Sequence, residues 1–227
     1  MWKDKYHKAV TFSFDDGITQ DIRLVQLLNK YHLKGTFNIN TGLAQRGLTF
    51  PIDHVIVDHL DLCECIDLYQ GHEVALHSVT HPDLTKLADA DIQDELIQDR
   101  KMIAETFGYE PVGMAYPYGT FDDRVVSIVN NLGILYARTV ISTYDFKIQD
   151  KLLTFKPTIH QSNPAIFELI ETFLSSDTKE DQLFYIWGHS YEFDVDDSWE
   201  RFEHICQKLS GKNDVFYGTN AEVLIQK

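Results

Sequence analysis

Cysteine, cationic charge and long apolar runs are all scarce in this sequence of 227 residues. Three cysteines, Cys63, Cys65 and Cys206, form no disulfide framework, and an odd count of this kind suits a reducing compartment. Two of them lie in the apolar-periodic stretch LDLCECIDLY, which predicts buried thiols rather than a metal or redox pair. Lysine and arginine total 20 against 35 acidic residues, a net charge of −15. That balance disfavours nucleic acid and anionic membranes as partners, because phosphate contacts need clustered cations; it weighs less heavily against polyanionic polymers. No apolar run is long enough to span a bilayer. The opening MWKDKYHKAV lacks an apolar h-region, so the expectation is no signal peptide and, if this is the native start, a cytoplasmic protein. Repeats, low-complexity segments and Pro/Gly/Ser linkers are missing too, which predicts one domain over residues 1–227.

What is present is an alternation of two periods. Short β-rich runs occupy 8–14, 35–39, 72–77, 113–117, 133–138, 152–158, 183–189 and 214–219. Helical-period stretches lie between most of them, at 18–32, 54–70, 90–107, 121–132, 163–175 and 196–209. In the third, Ile92, Leu96, Ile103 and Phe107 keep a three-to-four spacing. Strands that alternate with helices pair in parallel through right-handed crossovers. The predicted fold is therefore α/β, a distorted (β/α) barrel of seven or eight parallel strands, irregular at 138–152 where no helix is evident. The C-terminal ends of parallel barrel strands form the functional face. Here those ends carry Asp15-Asp16, His77, the YPYG turn, Arg138, His160 and His189. Residues distant in sequence are thus expected to meet on one rim.

Two patterns on that rim suggest chemistry. In LHSVTHPDL, His77 and His81 are four apart, so one helical turn would set both imidazoles on one side. In TFSFDDG two carboxylates stand side by side, an arrangement that repels unless a cation or shared proton offsets it. Two imidazoles plus one of Asp15 or Asp16 make a three-ligand site with open positions, the arrangement of catalytic zinc. The remaining carboxylate is then free to act as a base toward water.

In order along the chain, TFSFDDG, GHEVALHSVTHPDL, YPYG and IWGH resemble the polysaccharide deacetylase family, the NodB-homology group or carbohydrate esterase family 4. The match spans about residues 8–190. The resemblance implies a distorted barrel, a carbohydrate substrate and hydrolysis of acyl groups, usually N-acetyl, from amino sugars with a divalent metal. Zinc suits the donor set first, with cobalt, nickel or manganese as alternatives. It implies Asp15 as general base, Asp16, His77 and His81 as metal ligands, and Ser78 as support for the histidine loop. His189 becomes the general acid. Tyr116, Pro117, Tyr118 and Gly119 shape a groove wall, and the Tyr118 backbone N–H meets the oxyanion.

The sequence departs from the family pattern in three places. An arginine that orients the base is replaced by Ala115, and Arg138 is the candidate to fill the same space. The leucine two before the acid histidine is Trp187, which either narrows the pocket or stacks on sugar. No motif places the aspartate that pairs with His189; Asp145 is expected in that role ahead of Asp150. His160, Tyr191 and Glu192 are added as rim and groove residues, whereas His7, His32, His54, His59, His72 and His204 are expected to be surface or structural. Two further readings stay open: an amidohydrolase of this superfold acting on a cyclic amide or ureide, and a glycan-binding pseudoenzyme prompted by Ala115 and Trp187.

Overall fold

A computed structural model describes residues 1–177 and 179–225. Along the chain run β1 (Lys8–Asp16), α1 (Asp21–Lys30), β2 (Gly35–Ile39), β3 (Thr49–Ile52), β4 (Val55–Asp58), α2 (Leu62–Leu68) and β5 (Glu73–Leu76). They are followed by α3 (Asp89–Phe107), β6 (Gly113–Ala115), α4 (Asp123–Asn131), β7 (Tyr136–Arg138), β8 (Ile159–His160) and α5 (Ile166–Ser175). The chain closes with β9 (Gln182–Gly188), α6 (Glu192–Val195), α7 (Trp199–Leu209), β10 (Val215–Tyr217) and α8 (Asn220–Leu224).

The main sheet has the order β7-β6-β5-β2-β1-β9-β8, with β10 beside the first half of β1. Every pairing in it is parallel. One segment spans the gap between its two edges: the Phe155 N–H donates to Ala137 of β7 at 2.9 Å, and four residues later Ile159 pairs with Ile186 of β9. The sheet is thus a curled, incomplete barrel with seven strands around the curl, as the alternation predicts.

Period-two patterning explains how β1 serves two cores at once. Val10, Phe12 and Phe14 face outward into the layer between sheet and helices, where Phe202 of α7 meets Phe12 and Phe14 edge-on with centroids 6.0 and 5.7 Å away. Helix α7 presents Trp199, Phe202, Ile205, Cys206 and Leu209 as its buried stripe. Each such side chain contributes about 1.5–3 kcal/mol by leaving water. Ala9, Thr11, Ser13 and Asp15 face inward, beside a second cluster that includes Tyr136, Phe155, Tyr185 and Trp187. Inward positions near the C-terminal mouth are where the chemistry-bearing side chains lie.

Three local expectations are corrected. Residues 54–70 do not form one helix: β3 and β4 make an antiparallel hairpin with a two-residue loop at 53–54, and only Leu62–Leu68 is helical. The consecutive β-branched residues of VIVD, and the left-handed Asp53 at φ 50°, favour the hairpin. The run 152–158 gives a 3-10 turn and a single bridge at Phe155 before β8. Cys65 and Cys206 are buried as expected, but Cys63 is exposed because it sits on the other face of the short α2. Among the described residues no helix is long and apolar enough to cross a membrane.

Candidate active site

The C-terminal strand ends converge as parallel pairing requires. Asp15 and Asp16 end β1, His77 follows β5, Tyr116 follows β6, Arg138 ends β7, His160 ends β8 and His189 follows β9. Left-handed backbone gathers at the same rim: Asp16 (φ 83°), Gly17 (φ 69°), Ser78 (φ 64°), His81 (φ 56°), Tyr118 (φ 57°) and Gly119 (φ 69°). Non-glycine residues adopt this region at a cost and persist there where surrounding structure holds them. Gly119 is required twice over, since a Cβ there would lie 2.4 Å from Val140.

Asp16, His77 and His81 form one cluster. Asp16 Oδ1 lies 3.6 Å from His77 Nε2 and 3.8 Å from His81 Nε2. Ligands at about 2.0–2.1 Å from a tetrahedral zinc stand roughly 3.3 Å apart, so the donor set fits a dication after a small contraction. His77 Nδ1 lies 2.8 Å from the Ala115 carbonyl, which can only accept; Nδ1 is therefore the donor, and Nε2 is the atom that faces Asp16. Burial and the neighbouring His77 bring His81 down to about 4, so His81 is neutral at physiological pH. The two histidines are not brought together by a helical turn, as their spacing suggests, but by an irregular loop with Ser78 and His81 left-handed. That loop is held by residues the sequence does not advertise. Asn40 Nδ2 donates to the carbonyls of His77 (2.5 Å) and Ser78 (3.0 Å). Buried Asp99 on α3 accepts from the His77 N–H at 3.0 Å and from Thr41, and burial lifts its carboxyl to about 7. The Ser78 hydroxyl, expected to support the loop, is buried and has no hydrogen-bond partner among the described residues.

Arg138 is 1% exposed, and its Nη2 reaches Asp15 Oδ1 at 2.5 Å and also contacts Oδ2. It is directly opposite Ala115 in the β6–β7 register. The guanidinium expected at position 115 is therefore supplied from the adjacent strand. Its other face stacks on Trp187, 4.7 Å from the ring centroid. Asn38 Nδ2 adds a second donor to Asp15 at 2.9 Å. Burial alone would raise the Asp15 carboxyl, but Arg138, His77 and His189 outweigh it and bring it to about 2.

On the opposite side His189 Nδ1 donates to Glu192 Oε1 at 2.9 Å, leaving Nε2 3.8 Å from Asp15 Oδ2. Burial opposes charge on His189, yet the Glu192 hydrogen bond and the carboxylates of Asp16 and Asp15 raise it to about 9. The partner of His189 is therefore Glu192, three residues on, and not Asp145 or Asp150. The Asp145 carboxylate is engaged by the Phe146 and Lys147 N–H groups of its own turn. Glu192 does not line the groove; it lies behind His189, accepting also from Gln161 Nε2 at 2.9 Å and meeting His160 Nε2 at 3.2 Å. Its carboxyl is held well below the usual range by the hydrogen bonds and charge of His160 and His189, against the effect of burial. His160 likewise sits behind the rim, edge-on to Trp187 at 4.6 Å.

Asp15, Asp16, His77, His81 and His189 open into one cavity of about 540 Å³. Tyr116, Tyr118, Gly119, Trp187 and Tyr191 line it as expected; Pro117 is buried beneath the turn instead. The Tyr116 hydroxyl is turned away, donating to the Leu153 carbonyl at 2.8 Å. Residues that motif reading overlooked also line it: Asn40, Phe50, Ile52, Val140 and His59, the last expected to be surface or structural and found 5% exposed.

Residues 3–137 match the family profile described as polysaccharide deacetylase. The chain belongs to the polysaccharide deacetylase family. It is 24% identical over 166 residues to the peptidoglycan-N-acetylglucosamine deacetylase PgdA of Listeria monocytogenes, covering 69% of this chain and 31% of that protein. It is 26% identical over 171 residues to the peptidoglycan-N-acetylmuramic acid deacetylase PdaA of Bacillus subtilis, covering 73% and 60%. The chain thus spans under two thirds of the length of these two curated relatives. In fold it is similar to a family 4 carbohydrate esterase from Streptomyces lividans in complex with acetate (18% identity, TM-score 0.60, 96% of this chain and 95% of that one). It is also similar to a Mycobacterium smegmatis structure (15%, TM-score 0.70, 100% and 92%). The third is a family 4 pseudoenzyme from Bacillus anthracis (18%, TM-score 0.57, 97% and 66%). Family membership and fold therefore leave the activity to be argued from the site.

Proposed function

We propose that this polysaccharide deacetylase family member is a metal-dependent hydrolase that removes N-acetyl, or a similar acyl group, from an amino sugar. The observation that carries the reading is the placement of Asp15 and His189. They face each other beside a three-donor cluster, and their surroundings favour opposite proton states, a carboxylate at about 2 and an imidazolium at about 9.

Asp16, His77 and His81 would hold the dication; two imidazoles and a carboxylate suit zinc first. When bound, it would supply Lewis acidity, polarising an acyl carbonyl and acidifying water. Asp15 is fixed by Arg138 and Asn38 and is ionised throughout the physiological range, ready to take the proton of the attacking water. The Tyr118 N–H, on its left-handed turn at the cavity edge, is the donor assigned to the developing oxyanion. His189 carries a proton on Nε2 and gives it to the leaving nitrogen as the C–N bond breaks. The products are a carboxylate and a free amine. The presence of Arg138 against Asp15 favours an active enzyme over a pseudoenzyme, because the role expected at position 115 is filled.

Elemental analysis coupled to an acetate-release screen tests this reading. The expected result is one dication per chain and acetate release from N-acetylated sugars that a chelator abolishes and added metal restores. Turnover of cyclic amides alone would move the activity to the cyclic-amide class. Glycan binding without acetate release at full metal content would leave a binding protein.

A further inference from the structure

The hairpin β3–β4 has no role in the chemistry above, yet it is anchored to the turn that carries the two aspartates. The Thr19 N–H donates to the Asp58 carbonyl at 2.9 Å, Leu60 N–H to the Gly17 carbonyl at 3.0 Å, and Ile18 bridges His59. Asp58 Oδ1 also accepts from the Gly47 N–H at 2.8 Å, pinning the incoming chain. A hairpin so tied keeps a fixed position over the cavity. Its alternation is aimed: Phe50 and Ile52 line the cavity, whereas Thr49 and Pro51, on the other face, are exposed. The Phe50 ring meets Tyr191 edge-on at 6.0 Å, so the hairpin touches the segment after β9 and closes the groove on that side. Tyr118 and Val140 also line the cavity.

From this we infer that the site takes a compact N-acyl compound or the terminal unit of a short chain, and not an internal unit of a long polymer. The inference rests on the deacetylase reading and narrows it. A sugar unit in mid-chain needs an open path on both sides of the reacting amide, and here one path is filled by Phe50 against Tyr191. The cavity volume of about 540 Å³ lies in the range of small-molecule sites. Apart from Asp15, Asp16, His77, His81, His189 and His59, the cavity lining among the described residues carries no carboxylate, lysine, arginine or histidine for a charged polymer, and the walls offer ring and aliphatic faces suited to the apolar face of a single ring. The net charge of −15 adds repulsion toward polyanionic strands.

The test uses metal-loaded full chain and N-acetylglucosamine oligomers of one to six units. Acetate is located along each product by mass spectrometry, and binding is measured in parallel by calorimetry on the Asp15→Asn protein. The expected result is loss of acetate from one chain end only, with affinity that stops rising beyond two units. A Phe50→Ala/Ile52→Ala double variant is expected to raise the hexamer-to-monomer ratio of kcat/KM about tenfold. Acetate loss from internal units of the wild-type substrate, or affinity that climbs more than tenfold from two to six units, would overturn the inference. Binding limited to short oligomers without acetate release at any length would keep the pocket assignment and reject the deacetylase reading. No binding of any oligomer would reject both.

Discussion

Asp15 and His189 are flanked by two ion-pair systems of opposite effect. On one flank a fully buried cation, Arg138, faces Asp15; on the other a half-buried anion, Glu192, faces His189. The first makes a carboxyl harder to protonate, and the second makes an imidazole harder to deprotonate. The buried flank is also structural, because a charge sealed inside the barrel needs its partner. The half-buried flank can relax into solvent. Damage on the Arg138 side should therefore appear in both stability and rate, and damage on the Glu192 side mainly in pH dependence.

The largest effect is expected from Asp15→Asn, which should lower kcat by about 10²–10⁴-fold while elemental analysis still finds the metal. Retained turnover would remove Asp15 as the base. Arg138→Ala should come next. Removing one member of a buried pair typically costs about 3–5 kcal/mol, readable by urea unfolding. The Asp15 carboxyl would rise, moving the acid limb of the rate profile to higher pH. Adding Ala115→Arg should recover part of both losses, since the two positions are register partners; no recovery would refute the strand-exchange account. Glu192→Gln should leave unfolding stability nearly unchanged. His189 is active when protonated, so its contribution holds below about pH 9 and the alkaline limb of kcat/KM should fall by about one pH unit in this variant. An unmoved limb would break the pairing. The smallest effect is expected from His160→Gln. Glu192 loses one competing donor, so the limb should shift upward by less than about half a pH unit. A larger loss of rate would place His160 in the chemistry itself.

The sheet and most of the rim were legible because local pattern and global fold agree here. Runs such as 8–14 and 35–39 are apolar on the period of buried strands, and the helix over 90–107 matches the observed Asp89–Phe107 within a residue. Parallel pairing then carries Asp15, His77, Arg138 and His189 to one end without further information. The second strand of the hairpin at 49–58 falls inside the stretch 54–70 read with a helical period, and the first carries no strand reading, although VIVD and the two-residue turn after TFPI are signals for both. Asn38, Asn40 and Asp99 carried no motif, because a residue that acts by holding another is marked only by what it touches.

The sequence alone determined which chemical groups stand at the strand ends and in what order, since binary patterning and strand–helix alternation suffice for that. Tertiary structure alone decided how they pair. Arg138 reaches Asp15 through the β6–β7 register opposite Ala115; Glu192 replaces Asp145 beside His189; the two histidines meet through left-handed loop residues; and Phe50 closes the cavity against Tyr191. Each of these depends on strand register, loop backbone or contact between distant segments, and local periodicity holds no record of any of them.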